Sequence, residues 1–353
     1  MHDTPGSKPD SGGTGRGRVR RWLAHLRRGF GRGERAAAAA PPSPVPETSP
    51  APAGSTATVR PRVAVVVYNP IVDARRGARL IAHCGFADPA WLVRAYVADL
   101  AEASGGYLQY QVVDWTELHH LPALEDGYCY SGPAWLAYWE RGGGWHEPQL
   151  ADYAALLAAL DAPRRVAAGE LDEVWLFGPP YGGFYESRMT GPGAYWCNAP
   201  PLSGLVCARR FVVMGFSYER GVGEMLENFG HRVESMVGHA FRHAPPGHAW
   251  EHFTAYDLVA PGRAGCGTVH FAPNSQADYD WGNPRPVWST CDDWLAYPAL
   301  SGRRRRVDCR EWGGGDIRAH HRWWLAHLPR APGTHAGHLA NWWTYAVDPH
   351  AAD

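Results

Sequence analysis

From Arg62 onward the apolar positions follow two rhythms. Arg62-Val-Ala-Val-Val-Val-Tyr-Asn69 is an unbroken, largely β-branched run, the pattern of a central parallel strand buried on both faces. Residues 89–103 then place Trp91, Leu92, Tyr96, Val97 and Leu100 at helical spacing, and Gly105-Gly106 ends the pattern. The same reading predicts a strand over 108–115, a helix over 149–160 and strands over 172–177 and 210–216. The last strand runs straight into a helix over 219–241. Strands alternating with helices at this interval predict an α/β fold, a three-layer sandwich around a mostly parallel sheet, over residues 62–249.

The remainder, 250–353, loses this periodicity. Nine of the 17 tryptophans lie between Trp250 and Trp343, and eleven of the 18 histidines between His231 and His338. We expect this part to wrap the α/β core irregularly and not to form a second domain, so that 62–353 is one body. Residues 1–61 are rich in Gly, Ser, Pro and Ala and predict a disordered basic tail and a semi-rigid linker. Within the tail, 16–30 carries Trp22, Leu23, Leu26 and Phe30 among arginines, a short basic amphipathic pattern suited to weak peripheral contact with a membrane.

The helix over 219–241 carries the most suggestive polar pattern. Val222, Met225, Leu226, Phe229, Val233, Met236, Val237 and Ala240 share a broad apolar face. Glu224, Glu227, His231 and Glu234 fall opposite it, at i, i+3, i+7 and i+10. His231 and Glu234 form an HxxE pair, and Glu227 lies one turn earlier, so these three are candidate ligands for zinc or a similar divalent ion. His270, His320 and His321 are candidates to complete such a site. The same pattern also suits a solvated face with routine Glu–His pairs.

In open α/β sheets, ligands bind beyond the carboxyl ends of the strands. That rule selects Asn69, Tyr181, Tyr185, Arg188 and Tyr218 as candidate substrate-binding residues. It also selects Glu186 and Glu219 as acid/base candidates, Glu186 because a strand-end carboxylate among aromatic rings is readily desolvated. An irregular Gly/Pro loop explains residues 178–193 equally well. No GxGxxG follows the first strand and no GxxxxGK[ST] occurs, so nucleotide cradles are missing. Asp278, Asp280 and Asn283 offer oxygen ligands for calcium, although turn formation is the commoner use of such residues.

Charge narrows the partners. Residues 1–60 hold ten basic and four acidic side chains, a balance of +6, which leaves −7 for the rest of a chain whose net charge is −1. An acidic body does not suit nucleic acid. Arg303–Arg306 is the exception, and a solvated or ion-paired cluster accounts for it. The seven cysteines form no CxxC pair, although Cys291 and Cys309 could bridge if the protein is exported. No stretch reaches the length of a membrane span, and no standard secretory signal is evident.

Gly191-Pro-Gly-Ala-Tyr-Trp-Cys-Asn198, Met214-Gly-Phe-Ser-Tyr-Glu-Arg-Gly-Val-Gly-Glu-Met225 and Tyr279-Asp-Trp-Gly-Asn283 together resemble a family of uncharacterised bacterial proteins. The resemblance runs from about Arg62 to Pro349. It implies export for many members but no activity and no residue roles. The leading expectation from the residues is a hydrolase, metal-assisted or using carboxylate acid/base chemistry, acting on a small-molecule or glycan ligand at the carboxyl edge of the sheet. The alternative is a non-catalytic carbohydrate-binding protein with a tryptophan platform, for instance Trp342 and Trp343. A structural or interaction protein is the third.

Overall fold

The structure, a computed structural model, describes residues 57–353. The predicted tail, the amphipathic stretch 16–30 and most of the linker lie outside the described residues. The first backbone anchor is Val59: its N–H donates to Tyr107 O (2.8 Å) and its carbonyl accepts from Gln109 N (3.0 Å).

The apolar run becomes strand β1 (Arg62–Tyr68), followed by a small hairpin of β2 (Ile71–Asp73) and β3 (Ala78–Arg79) and by helix α1 (Leu80–Cys84). Helix α2 (Pro89–Ala103) begins where predicted, with Pro89 in its first turn and the Asp88 carboxylate accepting from Ala90 N at 2.9 Å. Next come β4 (Gln111–Leu118), α3 (Gly132–Arg141), α4 (Tyr153–Ala159), α5 (Ala162–Ala167), β5 (Glu173–Gly178), β6 (Ser187–Thr190) and β7 (Phe211–Ser217). The long helix α6 (Val222–Ala240) and the short α7 (Ala249–Thr254) lead into the last third. That part holds β8 (Val287–Ser289), β9 (Arg305–Val307), α8 (Ile317–Ala326), β10 (Arg330–His335), β11 (His338–Asn341) and α9 (Trp342–Val347).

Five strands form the main sheet in the order β4-β1-β5-β7-β6. The first four are parallel; β6 runs antiparallel to β7, with Ser187 opposite Met214 and Thr190 opposite Phe211. The fold is therefore α/β with a mixed, mostly parallel sheet. The central strands β1, β5 and β7 are almost wholly buried, as their continuous apolar runs require. The edge strand β4 leaves Val112, Val113 and Trp115 exposed.

Helix α6 begins three residues later than expected, and two further boundaries differ for identifiable reasons. The second strand begins three residues late, because residues 107–109 are engaged by Val59 before pairing with β1 starts. Helix α4 begins at Tyr153 and not at residue 149: Ala151 N donates to Gly183 O (3.0 Å), Asp152 N donates to Ala123 O (2.9 Å), and the Asp152 carboxylate caps Ala155 N (2.9 Å). Beyond residue 250 there is more regular structure than the sequence pattern implies. Helices α8 and α9 both pack on α6, and α8 also packs on α2. Trp312, Trp324, Trp342 and Trp343 are fully buried. All seven cysteines are free, so Cys291 and Cys309 are not bridged. Arg305 of the basic run pairs with Asp292 and Glu311. Among the described residues no helix is long and apolar enough to cross a membrane.

Helix α6 is tied to the sheet by a buried ion pair. Arg232 NH2 lies 2.7 Å from Glu173 Oε1, with the two side chains 0% and 3% exposed. Tyr110 OH donates to the same oxygen at 2.9 Å, and Trp175 Nε1 donates to Glu173 Oε2 at 3.1 Å. Burial works against the Arg232 charge, but Glu173 more than offsets it and holds the guanidinium protonated. Removing one member strands a buried charge, which costs about 3–5 kcal/mol, whereas removing both does not. Arg232→Met should therefore lower stability by about that amount. Arg232→Met/Glu173→Leu should recover a good part of the loss. Urea midpoints at constant m-value would read both, and equal destabilisation by the single and double variants would refute this role.

Candidate metal centre

Helix α6 meets neighbours on three sides. Its apolar face, including Met225, Leu226, Phe229, Val233 and Met236, is buried. On another side two glycines permit close approach. A Cβ on Gly223 would lie 2.5 Å from Ile317 Cγ2, and one on Gly230 would lie 2.7 Å from Val269 Cγ2. The stripe of Glu227, His231 and Glu234 lies next to Gly230, so it faces the segment 267–271 and not open solvent. Glu224 serves its own helix, accepting from Gly221 N at 3.0 Å.

Segment 267–271 brings His270 to His231, with the two Nε2 atoms 3.0 Å apart. Glu227 Oε1 is 3.1 Å from His270 Nε2 and 3.8 Å from His231 Nε2. Tyr279 OH reaches the same point, 2.8 Å from Glu227 Oε1 and 3.0 Å from His270 Nε2. Behind the imidazoles, His231 Nδ1 is 3.1 Å from Glu234 Oε2, and His270 Nδ1 is 3.0 Å from Asp278 Oδ1. The second oxygen of Glu234 accepts from Val269 N at 2.9 Å, which fixes the carboxylate.

This pattern has a consequence for protons. A carboxylate only accepts, so His231 Nδ1 carries hydrogen toward Glu234, and the Asp278 carboxylate beside His270 Nδ1 favours hydrogen there as well; a neutral imidazole so arranged presents Nε2 as an acceptor. Two such acceptors and a carboxylate oxygen then converge on one point. Like acceptors at these separations repel unless a cation stands among them. Without a metal the cation is a proton: burial works against charge on His231, but Glu227 and Glu234 overcome it and hold the imidazole well above its ordinary range. Glu227 is correspondingly held well below the usual carboxylate range, its burial outweighed by His231 and His270. A divalent ion satisfies the same atoms better. With metal–ligand bonds of about 2.0–2.2 Å, donors around a tetrahedral ion stand about 3.3–3.6 Å apart, close to the separations found here. Imidazoles whose far nitrogens donate to carboxylates are the usual support of such ligands.

Nearby imidazoles do not add charge. Burial pushes His321 down to about 4, and His320 well below its ordinary value. His321 Nε2 lies 3.2 Å from Val269 O, and His320 stacks on Trp281, so of the three further candidates only His270 enters the cluster. A second group, Cys291, Asp292 and His327, also gathers possible ligands. There Arg305 occupies both Asp292 oxygens, and burial pushes the Cys291 thiol up to about 12.

Glu186 stands beside the cluster. Asn198 Nδ2 donates to its carboxylate, Asn198 N donates to Ser235 Oγ on α6 (2.9 Å), and Glu186 O accepts from Gly215 N (3.0 Å). Its charge acts on both His231 and Tyr279. The remaining strand-end candidates have other attachments. Asn69 Nδ2 donates to Glu117, and its Oδ1 accepts from Ile81 N. Tyr218 is buried and donates to Tyr68 O at 2.8 Å. Tyr181 stacks on Trp145, while Arg188 lies over the rings of Tyr153 and Tyr185 and donates to Pro200 O. Glu219 is exposed beside Arg220, and burial raises its carboxyl while Arg220 opposes the shift. The structure brings none of these six to the cluster. Asp280 closes a turn, accepting from Gln276 N and Asn283 Nδ2, so the calcium set is not assembled; Asp278 serves His270 instead. Tyr279 and Asn198 lie at the cluster although spacing and strand-end position do not select them.

A cleft of about 410 Å³ is lined by His231, Glu234, His270, Trp250, Tyr256 and Phe271 with two threonines. Comparison with protein-family models, curated proteins and solved structures gives no match. Gly230→Ala tests the assembly directly. Alanine favours the helix by about 1 kcal/mol, but its methyl forces Val269 away, an overpacking cost of about 1–3 kcal/mol. We expect net destabilisation and at least a tenfold loss of zinc affinity, read by chelator competition. Unchanged affinity would show that the approach of segment 267–271 does not set the cluster.

Proposed function

We propose that this chain is a metal-dependent hydrolase in which Glu227, His231 and His270 hold one zinc or similar divalent ion. The observation that carries the reading is the convergence of two Nε2 atoms and one carboxylate oxygen, with a carboxylate oxygen 3.1 Å from His231 Nδ1 and 3.0 Å from His270 Nδ1. Three protein ligands next to an open cleft are the arrangement of catalytic, not purely structural, zinc sites. On this reading the α/β core is a three-layer sandwich, and the Trp- and His-rich last third wraps it and supplies His270, Asp278 and Tyr279. Asn198 and Tyr279, from two of the three motifs of the resemblance, also lie here.

A bound ion would polarise a substrate carbonyl and ease ionisation of water. The chain's own residues do the rest. Glu234 and Asp278 orient the imidazoles. Glu186, positioned by Asn198, takes a proton from the attacking water and passes it to the leaving group. The cleft selects against anions: no lysine or arginine is among the described residues that line it, and Glu186, Glu227, Glu234 and Asp278 surround the ion. Phosphate recognition relies on cationic forks that are missing from this lining. Trp250, Tyr256 and Phe271 with threonine hydroxyls instead suit an uncharged ester or amide carried on a ring-bearing body such as a sugar. The same lining favours one second reading, a non-catalytic glycan-binding site in this cleft. Trp342 and Trp343 do not supply its platform, since both are fully buried.

Protein purified without chelator or metal-affinity tag should hold about one divalent ion per chain, lost in His231→Ala and in His270→Ala. Activity on uncharged esters or amides should fall with chelation, and Glu186→Gln should retain the ion but lose about 10²–10⁴-fold in turnover. A chain that takes up no ion at saturating zinc overturns the metal reading. A metal-loaded chain that binds oligosaccharides without hydrolysing any ester or amide leaves the glycan-binding reading.

A further inference from the structure

We infer that the Tyr279 oxygen is a fourth protein ligand of the ion, and the one able to leave it; this rests on the metal reading above. Glu227, His231 and His270 are largely buried, whereas Tyr279 is 44% exposed and lies in a segment without regular secondary structure. Its hydroxyl stands 2.8 Å from Glu227 Oε1 and 3.0 Å from His270 Nε2. One O–H can donate to one of these acceptors, and the other then faces an oxygen lone pair. An ion among the three atoms removes the conflict.

The backbone points the same way. Asp278 and Tyr279 are adjacent in sequence, yet their side chains reach opposite nitrogens of the same imidazole, Nδ1 and Nε2 of His270. Tyr279 N also donates to His270 O at 3.2 Å. Consecutive residues of an extended chain point to opposite sides. Here Tyr279 adopts a φ of +59°, the left-handed region that a tyrosine rarely enters. Such strain persists where the surroundings impose it and gathers at functional sites. Its result is a clamp around His270, with the phenol oxygen on the metal side. The ring is held at His270 (4.4 Å between centroids) and edge-on to Trp281 (5.1 Å), which aims the oxygen without burying it.

Burial and the Glu227 carboxylate hold the phenol well above its ordinary range, so only a bound cation would release its proton, which would pass to water; Glu227 and Tyr279 would then offer a divalent ion two negative oxygens, and His231 and His270 two nitrogens. His231 and His270 line the cleft, and Tyr279, the most exposed of the four, is the ligand that a substrate entering there would displace.

Copper(II) is the probe. The copper-loaded wild type should show a phenolate-to-copper charge-transfer band and nitrogen hyperfine structure from two imidazoles. Tyr279→Phe should keep the hyperfine pattern, lose the band and bind zinc roughly tenfold more weakly. As a check that needs no variant, zinc addition to the wild type should produce a tyrosinate difference spectrum. Copper bound by two nitrogens with neither the band nor the difference spectrum overturns the Tyr279 assignment and leaves the metal centre standing. No copper bound at all overturns the centre itself, so the two failures are distinct.

Discussion

The buried pair of Arg232 and Glu173 is the interaction on which the rest of this structure depends. It fixes not only that α6 packs on the sheet but at which rotation. Position 232 lies about 100° around the helix from position 231. With Arg232 directed at Glu173, His231 must point away from the sheet, toward the segment that carries His270. A wholly apolar face would allow the helix to roll by a fraction of a turn, because hydrophobic burial is non-directional. An ion pair with a tyrosine and a tryptophan hydrogen-bonded to its carboxylate does not allow it. Asn228 adds a second pin by donating to Gly215 O at 2.8 Å.

Once α6 is set in this way, the cluster follows from burial. Glu227 and Glu234 are brought under the C-terminal part of the chain, and a buried carboxylate is tolerated only when compensated. Glu234 is compensated by Val269 N and His231, Glu227 by His270 and Tyr279. That compensation needs one positive charge at the centre, a proton on His231 or a cation, localised between the Nε2 atoms. A structure whose polar groups were merely satisfying one another would more easily have turned one imidazole over.

The legibility of this site in the sequence divides along a physical line. Glu227, His231 and Glu234 are related by helix geometry, which is local and periodic, so the helical wheel places them together from spacing alone. The strands and α2 are legible for the same reason, since long apolar runs and a proline-started helix depend on neighbours in sequence. His270, Asp278 and Tyr279 come from an irregular segment whose path is set by contacts with Gly230 and Trp281, and no period relates them to α6. His270 is one of three histidines that the sequence offers to the helix equally. Only the tertiary path separates it from His320 and His321, both buried beside tryptophans. Beyond residue 250, helices α8 and α9 are obscured by their tryptophans and histidines, which have no strong helical preference yet are buried against α6.

The strand-end rule selects one residue beside the cluster and misses its centre, and the geometry shows why. The rule assumes an open crevice beyond the carboxyl ends of a doubly covered sheet. Here those ends are occupied: Asn69 ties β1 to Glu117 and Ile81, Tyr218 inserts under Tyr68, and Tyr181 stacks on Trp145. The site has moved sideways, to the face of α6 beside the antiparallel strand β6. Glu186 precedes that strand, with its carbonyl on Gly215 and its side chain held by Asn198, so it belongs to both places. The addition of one antiparallel strand at the sheet edge thus carries a strand-end carboxylate across to the helix face. That displacement is what gives the His231–His270 pair a neighbouring carboxylate that neither α6 nor the segment 267–279 supplies in that position.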